Sequence, residues 1–450
     1  MTKKVIIILL VSVMLMLSLP LYGFAKDAPA PLYSSSCMVY NIENQKTCYE
    51  YYPDDRIAPA GTTKIMTAIL AIEHYENNFD AVITVGQSWL TEVTGLTAGF
   101  MIGENITAEK VISALIIGNG NDAAYVLAHA IAGSEETFVA MMNEKAKEMG
   151  MENTRYVNPA GTDEEGAYTT AADVVKLSCY AYTLSKYIEI SDAPSVAMEA
   201  TNKNNGRNLY NRNYFVSNYY NTKYLTPSVM GLNAGYSYKA GWCVTAIGRS
   251  NSGLTYVVVV LGGRDPEPEL DENGEEIENE DKFFVSGYED ALMLLDWAYN
   301  NFGYFTLVDT STMVCDVPVK LSNKVDHVVL LPEEKLVSFL PIDTDIESVV
   351  TKEYTLKSKT LKAPISQGQV VGEMNVYIHG EKAGTVNLIA RNNVDRSNGL
   401  LVLDVILGFV TNPLVLTVFA LFILLVIIYV IFKARYLARK RQVVKYKQNR

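Results

Sequence analysis

Leu414–Phe432 runs for 19 residues without a charge, and as an α-helix such a run is about 28 Å long, the thickness of a bilayer's hydrocarbon layer. Segment 413–432 is therefore predicted to span a membrane. Eight cations and no acid follow in the tail 433–450, namely Lys433, Arg435, Arg439, Lys440, Arg441, Lys445, Lys447 and Arg450. Positive charge flanking a span stays on the cytoplasmic side, so the tail is expected in the cytoplasm and residues 26–412 outside the plasma membrane. Leu400–Val410 is apolar except for Asp404 and is set off from the span by Pro413. It reads as an interfacial segment within 399–412.

The other end of the chain carries Lys3 and Lys4, the apolar run Val5–Leu17 and a small-residue site at Gly23-Phe24-Ala25. These are the three parts of a secretory signal peptide, predicted over 1–25, with an uncleaved first anchor left open. Setting aside Lys3, Lys4 and the eight tail cations lowers the net charge from −12 for the whole chain to −22 for residues 26–432. So acidic a domain excludes nucleic acid as a partner.

Five cysteines, Cys37, Cys48, Cys179, Cys243 and Cys315, fall on the expected exterior. Cys37 and Cys48 lie on adjacent strand-like runs, Ser36–Tyr40 and Lys46–Tyr51. A cross-strand bridge and a pair of small buried thiols are both open. There is no CxxC, and His74, His129, His327 and His379 are scattered, so no metal and no cofactor are expected.

Periodicity divides the exterior portion in two. Residues 33–53 read as a hairpin, and 62–77, 107–117, 121–132, 134–149 and 171–185 as helices. Strand-like runs follow over 228–262, and a helix over 286–301 closes the unit, 26–304. A hairpin first, helices next and further strands last predicts an α+β domain whose antiparallel sheet joins the two ends of the segment. Residues 265–281 hold ten Asp and Glu; without the spacing of a calcium loop they read as a solvated acidic insertion. From 305 to 398, β-branched runs such as Val325–Leu331, Val349–Leu356 and Val370–Ile378 predict a small β domain beside the membrane.

Chemistry is concentrated in short motifs of the first unit. Pro59-Ala60-Gly61-Thr62-Thr63-Lys64 leads into a helix, Ile117-Gly118-Asn119-Gly120-Asn121-Asp122-Ala123 into another, and Val229-Met230-Gly231-Leu232-Asn233-Ala234-Gly235-Tyr236 lies on a strand. In this order they resemble the SxxK, SGNDA and KTG elements of the penicillin-interacting serine D-alanyl-D-alanine carboxypeptidases. Tyr156-Val157-Asn158-Pro159-Ala160-Gly161 resembles that family's NPHG turn. The resemblance covers roughly 33–303 and implies the penicillin-binding serine-peptidase fold, with 305–398 as a membrane-proximal domain.

The family's catalytic lysine corresponds to Lys64 and its motif asparagine to Asn121. The serine nucleophile's position, however, holds Gly61. Asn119 stands for the proton-relaying serine, Asn233 and Ala234 for the lysine and threonine of the KTG strand, and Gly235 is kept; the Gly61 and Tyr236 amides match the oxyanion hole. A glycine has no oxygen with which to form an acyl-enzyme, and losing the nucleophile of a serine hydrolase costs about 10⁶ in turnover. Thr62 and Thr63 lie about 100° and 200° around the helix from Gly61. Lys64 is then expected to serve as an ion-pair member or cleft lining, and Asn119, Asn121 and Asn233 to hydrogen-bond to one another across the former site. The resemblance implies a cell-envelope role on peptidoglycan stem peptides. Three outcomes are open: a non-catalytic stem-peptide binder or scaffold for envelope proteins, an active carboxypeptidase trimming terminal D-Ala, and, ranked last because an 18-residue tail is too short for a domain, a transmembrane sensor reporting through the basic tail. The tyrosines Tyr210, Tyr214, Tyr219, Tyr220 and Tyr224 offer stacking surfaces or loop packing.

Overall fold

The computed structural model describes Pro29 and residues 32–91, 93–266 and 283–448. The predicted signal peptide and most of the acidic insertion, 267–282, lie outside the described residues. Two compact units are present, one running to Gly303 and taking in Pro341–Asp343, the other made of Tyr304–Leu340 and the chain from Thr344 onward.

The first unit opens with the hairpin β1 (Ser36–Asn41) and β2 (Lys46–Tyr51). Helices α1 (Thr63–Tyr75), α2 (Ala108–Ile116), α3 (Asn121–Ala132), α4 (Glu135–Glu148), α5 (Ala171–Thr183) and α6 (Ser185–Ser191) follow, with short pairs β3 (Val82–Thr84)/β4 (Asn105–Thr107) and β5 (Ser195–Met198)/β6 (Arg207–Tyr210) between and after them. Then come β7 (Val229–Ser237), β8 (Gly241–Arg249), β9 (Thr255–Gly263) and α7 (Ser286–Asn301). The main sheet has five antiparallel strands in the order β2-β1-β9-β8-β7. As expected, the first hairpin is stitched to the last strand. Every residue of β9 is buried, because Val257, Val259 and Leu261 join the core around α1 while Val258 and Val260 face the side covered by α7. A strand covered on both faces must be apolar throughout, which is why Leu254–Leu261 reads as a continuous apolar run.

Ser134 and Thr170 cap α4 and α5 by accepting from the Thr137 and Asp173 amides, contacts typically worth about 1 kcal/mol each. Helix α1 is nearly encased, with Thr63 to Ile72 all buried. That burial includes Lys64 and Thr67, so its polar groups must find partners inside the protein.

The five cysteines are free. The register places Cys37 opposite Tyr51 and Val39 opposite Tyr49, with the ladder irregular between Val39 and Tyr40, so Cys37 does not face Cys48. Both are buried thiols, and burial pushes Cys48 up to about 12.

Apart from Phe302, Gly303 and Pro341, the second unit contains β10 (Phe302–Val308), β11 (Cys315–Lys320), β12 (His327–Pro332), β13 (Leu336–Pro341), β14 (Val350–Leu356), β15 (Leu361–Lys362), β16 (Val370–Ile378) and β17 (Glu381–Ala390). Six of them form one sheet, β14-β16-β17-β12-β11-β15, and β10 pairs with β13. Helix α8 (Asn398–Val410) packs Leu400 and Leu401 on this unit's core and is tied to it by a 3.1 Å Lys362–Asp404 ion pair. Val402, Val405, Ile406 and Phe409 on the same helix are exposed. After Thr411-Asn412 the chain continues as one helix, α9 (Pro413–Gln448). Pro413–Arg439 holds an 18-residue window of mean hydropathy 3.3 with no buried residue, and is long and apolar enough to cross a membrane. The helix does not stop at Phe432 but continues into the basic tail, since no Gly or Pro follows to end it.

Candidate functional site

A single 3-10 turn, Ala60–Thr62, leads into α1 and brings the motif residues together. Against it lies the turn 158–161. Asn158 organises that turn, its Oδ1 accepting from the Ala160, Gly161 and Thr162 amides at 3.2, 2.7 and 3.2 Å. Lys64 Nζ donates to the Ala160 carbonyl at 2.7 Å, and Thr67 Oγ1 to the Pro159 carbonyl at 2.7 Å. Gly161 has φ +76°, and a Cβ there would lie 1.9 Å from the Ala60 carbonyl oxygen, so only glycine fits this approach.

Lys64 is thus neither an ion-pair member nor an open cleft lining. It is buried, no acid among the described residues pairs with it, and its ammonium bonds a main-chain carbonyl. Burial draws its pKa from 10.5 down to about 7, because a charge without a counter-charge is costly in a low-dielectric interior. The expectation of an ion pair fails because the surroundings of α1 are apolar and main-chain carbonyls are the available acceptors.

On the other side of the turn, β7 presses directly on Gly61. A Cβ at Gly61 would lie 2.7 Å from Asn233 Oδ1 and 3.0 Å from the Gly235 Cα; a Cβ at Gly235 would lie 2.9 Å from the Gly61 Cα and 3.1 Å from its nitrogen. Glycine faces glycine, and the Asn233 carboxamide fills the space that a side chain at 61 would take. Asn233 Oδ1 is buried there without a hydrogen-bond partner, as are Asn119 Oδ1 and Thr63 Oγ1. Thr62 and Thr63 are themselves buried, and Thr62 Oγ1 donates back to the Pro59 carbonyl at 2.6 Å.

The three asparagines do not form the network that their types suggest. Asn119, at φ +53°, donates through Nδ2 to the Ala234 carbonyl at 3.2 Å. Asn121 turns the other way and donates to the Thr94 carbonyl at 2.6 Å. Asn233 offers only its main chain, whose carbonyl accepts from Thr245 Oγ1 at 3.1 Å. The cause is backbone placement: the positive φ at Asn119 aims its amide at β7's main chain, and the start of α3 aims Asn121 at the 94–96 loop. Gly61, Asn119, Asn233, Ala234 and Gly235 therefore converge, whereas the Asn121 side chain turns away; the Tyr236 ring is 55% exposed and lies 5.3 Å from that of Trp242.

Two supports escaped the motif reading. Asp122 accepts from the Ala98, Gly99, Phe100 and Ala123 amides at 2.8–3.1 Å, fixing the loop that meets Asn121. The acid within the Asn121-Asp122 motif was the available signal. Asp163 accepts from Ser237 Oγ and the Lys239 amide at 2.6 and 3.0 Å, holding the end of β7 to the 158–163 turn; nothing local in the sequence marks it.

The sequence profile of the D-alanyl-D-alanine carboxypeptidase family matches residues 24–265, and that of the penicillin-binding protein 5 C-terminal domain matches 302–396. D-alanyl-D-alanine carboxypeptidase DacF of Bacillus subtilis (strain 168) is 27% identical over 406 residues, which are 88% of this chain and 95% of that protein. DacA of Haemophilus influenzae is 26% identical over 386 residues, 82% of this chain and 86% of the relative. Among solved structures, penicillin-binding protein 6B from Escherichia coli gives a TM-score of 0.58 at 20% identity, covering 82% of this chain and 98% of that one. Penicillin-binding protein 5 from Haemophilus influenzae gives 0.56 at 21% identity, with 82% and 99% covered. The chain belongs to the D-alanyl-D-alanine carboxypeptidase family of low-molecular-mass penicillin-binding proteins, whose role is in peptidoglycan metabolism.

Proposed function

We propose that this chain is a non-hydrolysing member of its family, held in the plasma membrane by α9 with its large domain outside. It works in the cell envelope by binding peptidoglycan or organising envelope proteins. The observation that carries this reading is the packing at Gly61, where no oxygen nucleophile exists and Asn233 Oδ1 stands 2.7 Å from the point a Cβ would occupy. The reading is also supported by Asn233 and Ala234 in place of a cation and a hydroxyl. Each charge-assisted hydrogen bond so lost removes about 1.5–3 kcal/mol of grip on a peptide's terminal carboxylate. In this reading Lys64 is a fastener between α1 and the 158–161 turn rather than a base.

Family membership by itself would favour an active carboxypeptidase, and one experiment separates the two. The full-length protein in detergent micelles is treated with a fluorescent penicillin and, separately, with a stem pentapeptide. No covalent label and no released D-Ala are expected. A labelled protein that also liberates D-Ala overturns the proposal.

A further inference from the structure

The tyrosines around β6 divide into two groups that do different things. Tyr224 is fully buried, donates to Glu289 at 2.8 Å and stacks on Tyr288, and Tyr214 packs against the same ring at 4.9 Å. These two are core. Tyr219 and Tyr220 are 57% and 37% exposed. Tyr210 lies flat against Tyr219, centroids 3.5 Å apart and planes 8° from parallel, and Tyr220 meets Tyr219 edge-on at 5.0 Å. The Arg212 guanidinium sits 4.3 Å above Tyr220.

The backbone beneath these rings is fixed. Asn211 Nδ2 donates to the Ser191 and Ala193 carbonyls, both at 2.9 Å, and the Arg212 amide donates to the Ile117 carbonyl at 3.1 Å. The platform therefore adjoins the Ile117–Asn121 motif and is braced by hydrogen bonds and ring contacts within its own domain, which lowers the entropic cost of binding. Arg212 forms no ion pair among the described residues, although its domain is strongly acidic. An exposed aromatic face takes the C–H side of a pyranose ring, and a free guanidinium takes a carboxylate. A protein partner would need a far larger patch than one pair of exposed rings, about 800 Å² per side.

We infer that Tyr210, Tyr219, Tyr220 and Arg212 form a surface for peptidoglycan glycan strands from which the stem peptides have been removed, with a sugar ring on Tyr219 and the lactyl carboxylate, free only in such strands, at Arg212. The inference rests on the proposed envelope role and adds the polymer that is gripped. It is tested with full-length protein in micelles, by thermophoresis against glycan strands freed of stem peptide by an amidase, and against neutral chitin oligosaccharides. The wild type binds the stripped strands. Tyr219→Ala weakens that binding at least 10-fold with unchanged melting, and Tyr219→Phe retains it. Arg212→Gln weakens binding to stripped strands but not to chitin oligosaccharides, which lack the lactyl acid. Stripped strands that fail to bind the wild type, or that bind Tyr219→Ala and Arg212→Gln as tightly as the wild type, overturn the inference. Penicillin labelling of the same samples separates the two ideas. A labelled protein that grips strands contradicts the loss of hydrolysis alone, and an unlabelled one that ignores strands contradicts the platform alone.

Discussion

Putting the missing hydroxyl back should not restore a hydrolase. A serine Cβ at 61 would stand 2.7 Å from Asn233 Oδ1 and 3.0 Å from the Gly235 Cα, the first inside any contact real Cβ atoms make and the second against backbone. Overpacking of this kind costs about 1–3 kcal/mol. At about 2–4 °C per kcal/mol for a domain of this size, Gly61→Ser should melt about 2–12 °C below the wild type and take no penicillin label. Asn233→Ala removes the atom in closest conflict, which is also a buried acceptor without a partner. The double variant Gly61→Ser/Asn233→Ala should therefore recover much of the lost stability, with a coupling energy of about 1–2 kcal/mol in a double-mutant cycle. Calorimetry of the four proteins, with fluorescent penicillin on each, measures both quantities. A Gly61→Ser protein that melts like the wild type and becomes acylated would refute the claim that Asn233 occupies the nucleophile's space.

Three further outcomes follow from buried groups nearby. With a pKa drawn from 10.5 to about 7, Lys64 is neutral in the folded state over a window where the unfolded chain keeps its proton. Stability should therefore rise from about pH 7 to pH 10.5, by up to about 5 kcal/mol at 1.36 kcal/mol per unit. Lys64→Met should flatten that rise, and urea unfolding of both proteins at pH 7 and pH 10 checks it; equal slopes would contradict the assignment. Gly161→Ala adds a Cβ 1.9 Å from the Ala60 carbonyl at φ +76°, and should cost about 3 kcal/mol or more, visible as lost soluble yield or a large fall in Tm. Asp290 is buried, accepts from the Tyr33 amide at 3.3 Å, leaves Oδ2 without a partner, and has its pKa raised chiefly by burial. The folded state thus holds a proton that the unfolded chain releases, so its contribution to stability falls as pH rises through the raised pKa. Asp290→Asn should raise Tm at pH 7 and not at pH 3, and a gain of the same size at both would count against the buried charge.

Much of this protein was legible before any coordinates. The sheet composition followed from the order of hairpin, helices and strands, because a strand at each end of the segment can be closed only against the other. The spans of α3, α4, α5 and α7 followed from helical spacing, and the structure adds the caps Ser134 and Thr170 at the starts of α4 and α5. The motif residues could be placed because three short runs, in order, resemble the SxxK, SGNDA and KTG elements of the family. Partners were not legible. Cys37 misses Cys48 because the register of the hairpin sets Cys37 opposite Tyr51, and residue types alone do not fix a register. Lys64 binds a carbonyl 96 residues away, which no pattern along the chain can show.

What the sequence determined by itself is covalent. There is no side-chain oxygen at Gly61, no cation at 233 and no charge for 19 residues from Leu414, and no arrangement of the chain can change those facts. What only the tertiary structure decided is how the vacated room was used. Asn233 lies across it, Gly235 abuts Gly61, and Asn121 turns away. Close packing is the physical reason: an interior tolerates few voids, so the space left by a missing side chain is taken by whichever neighbour the fold brings within reach.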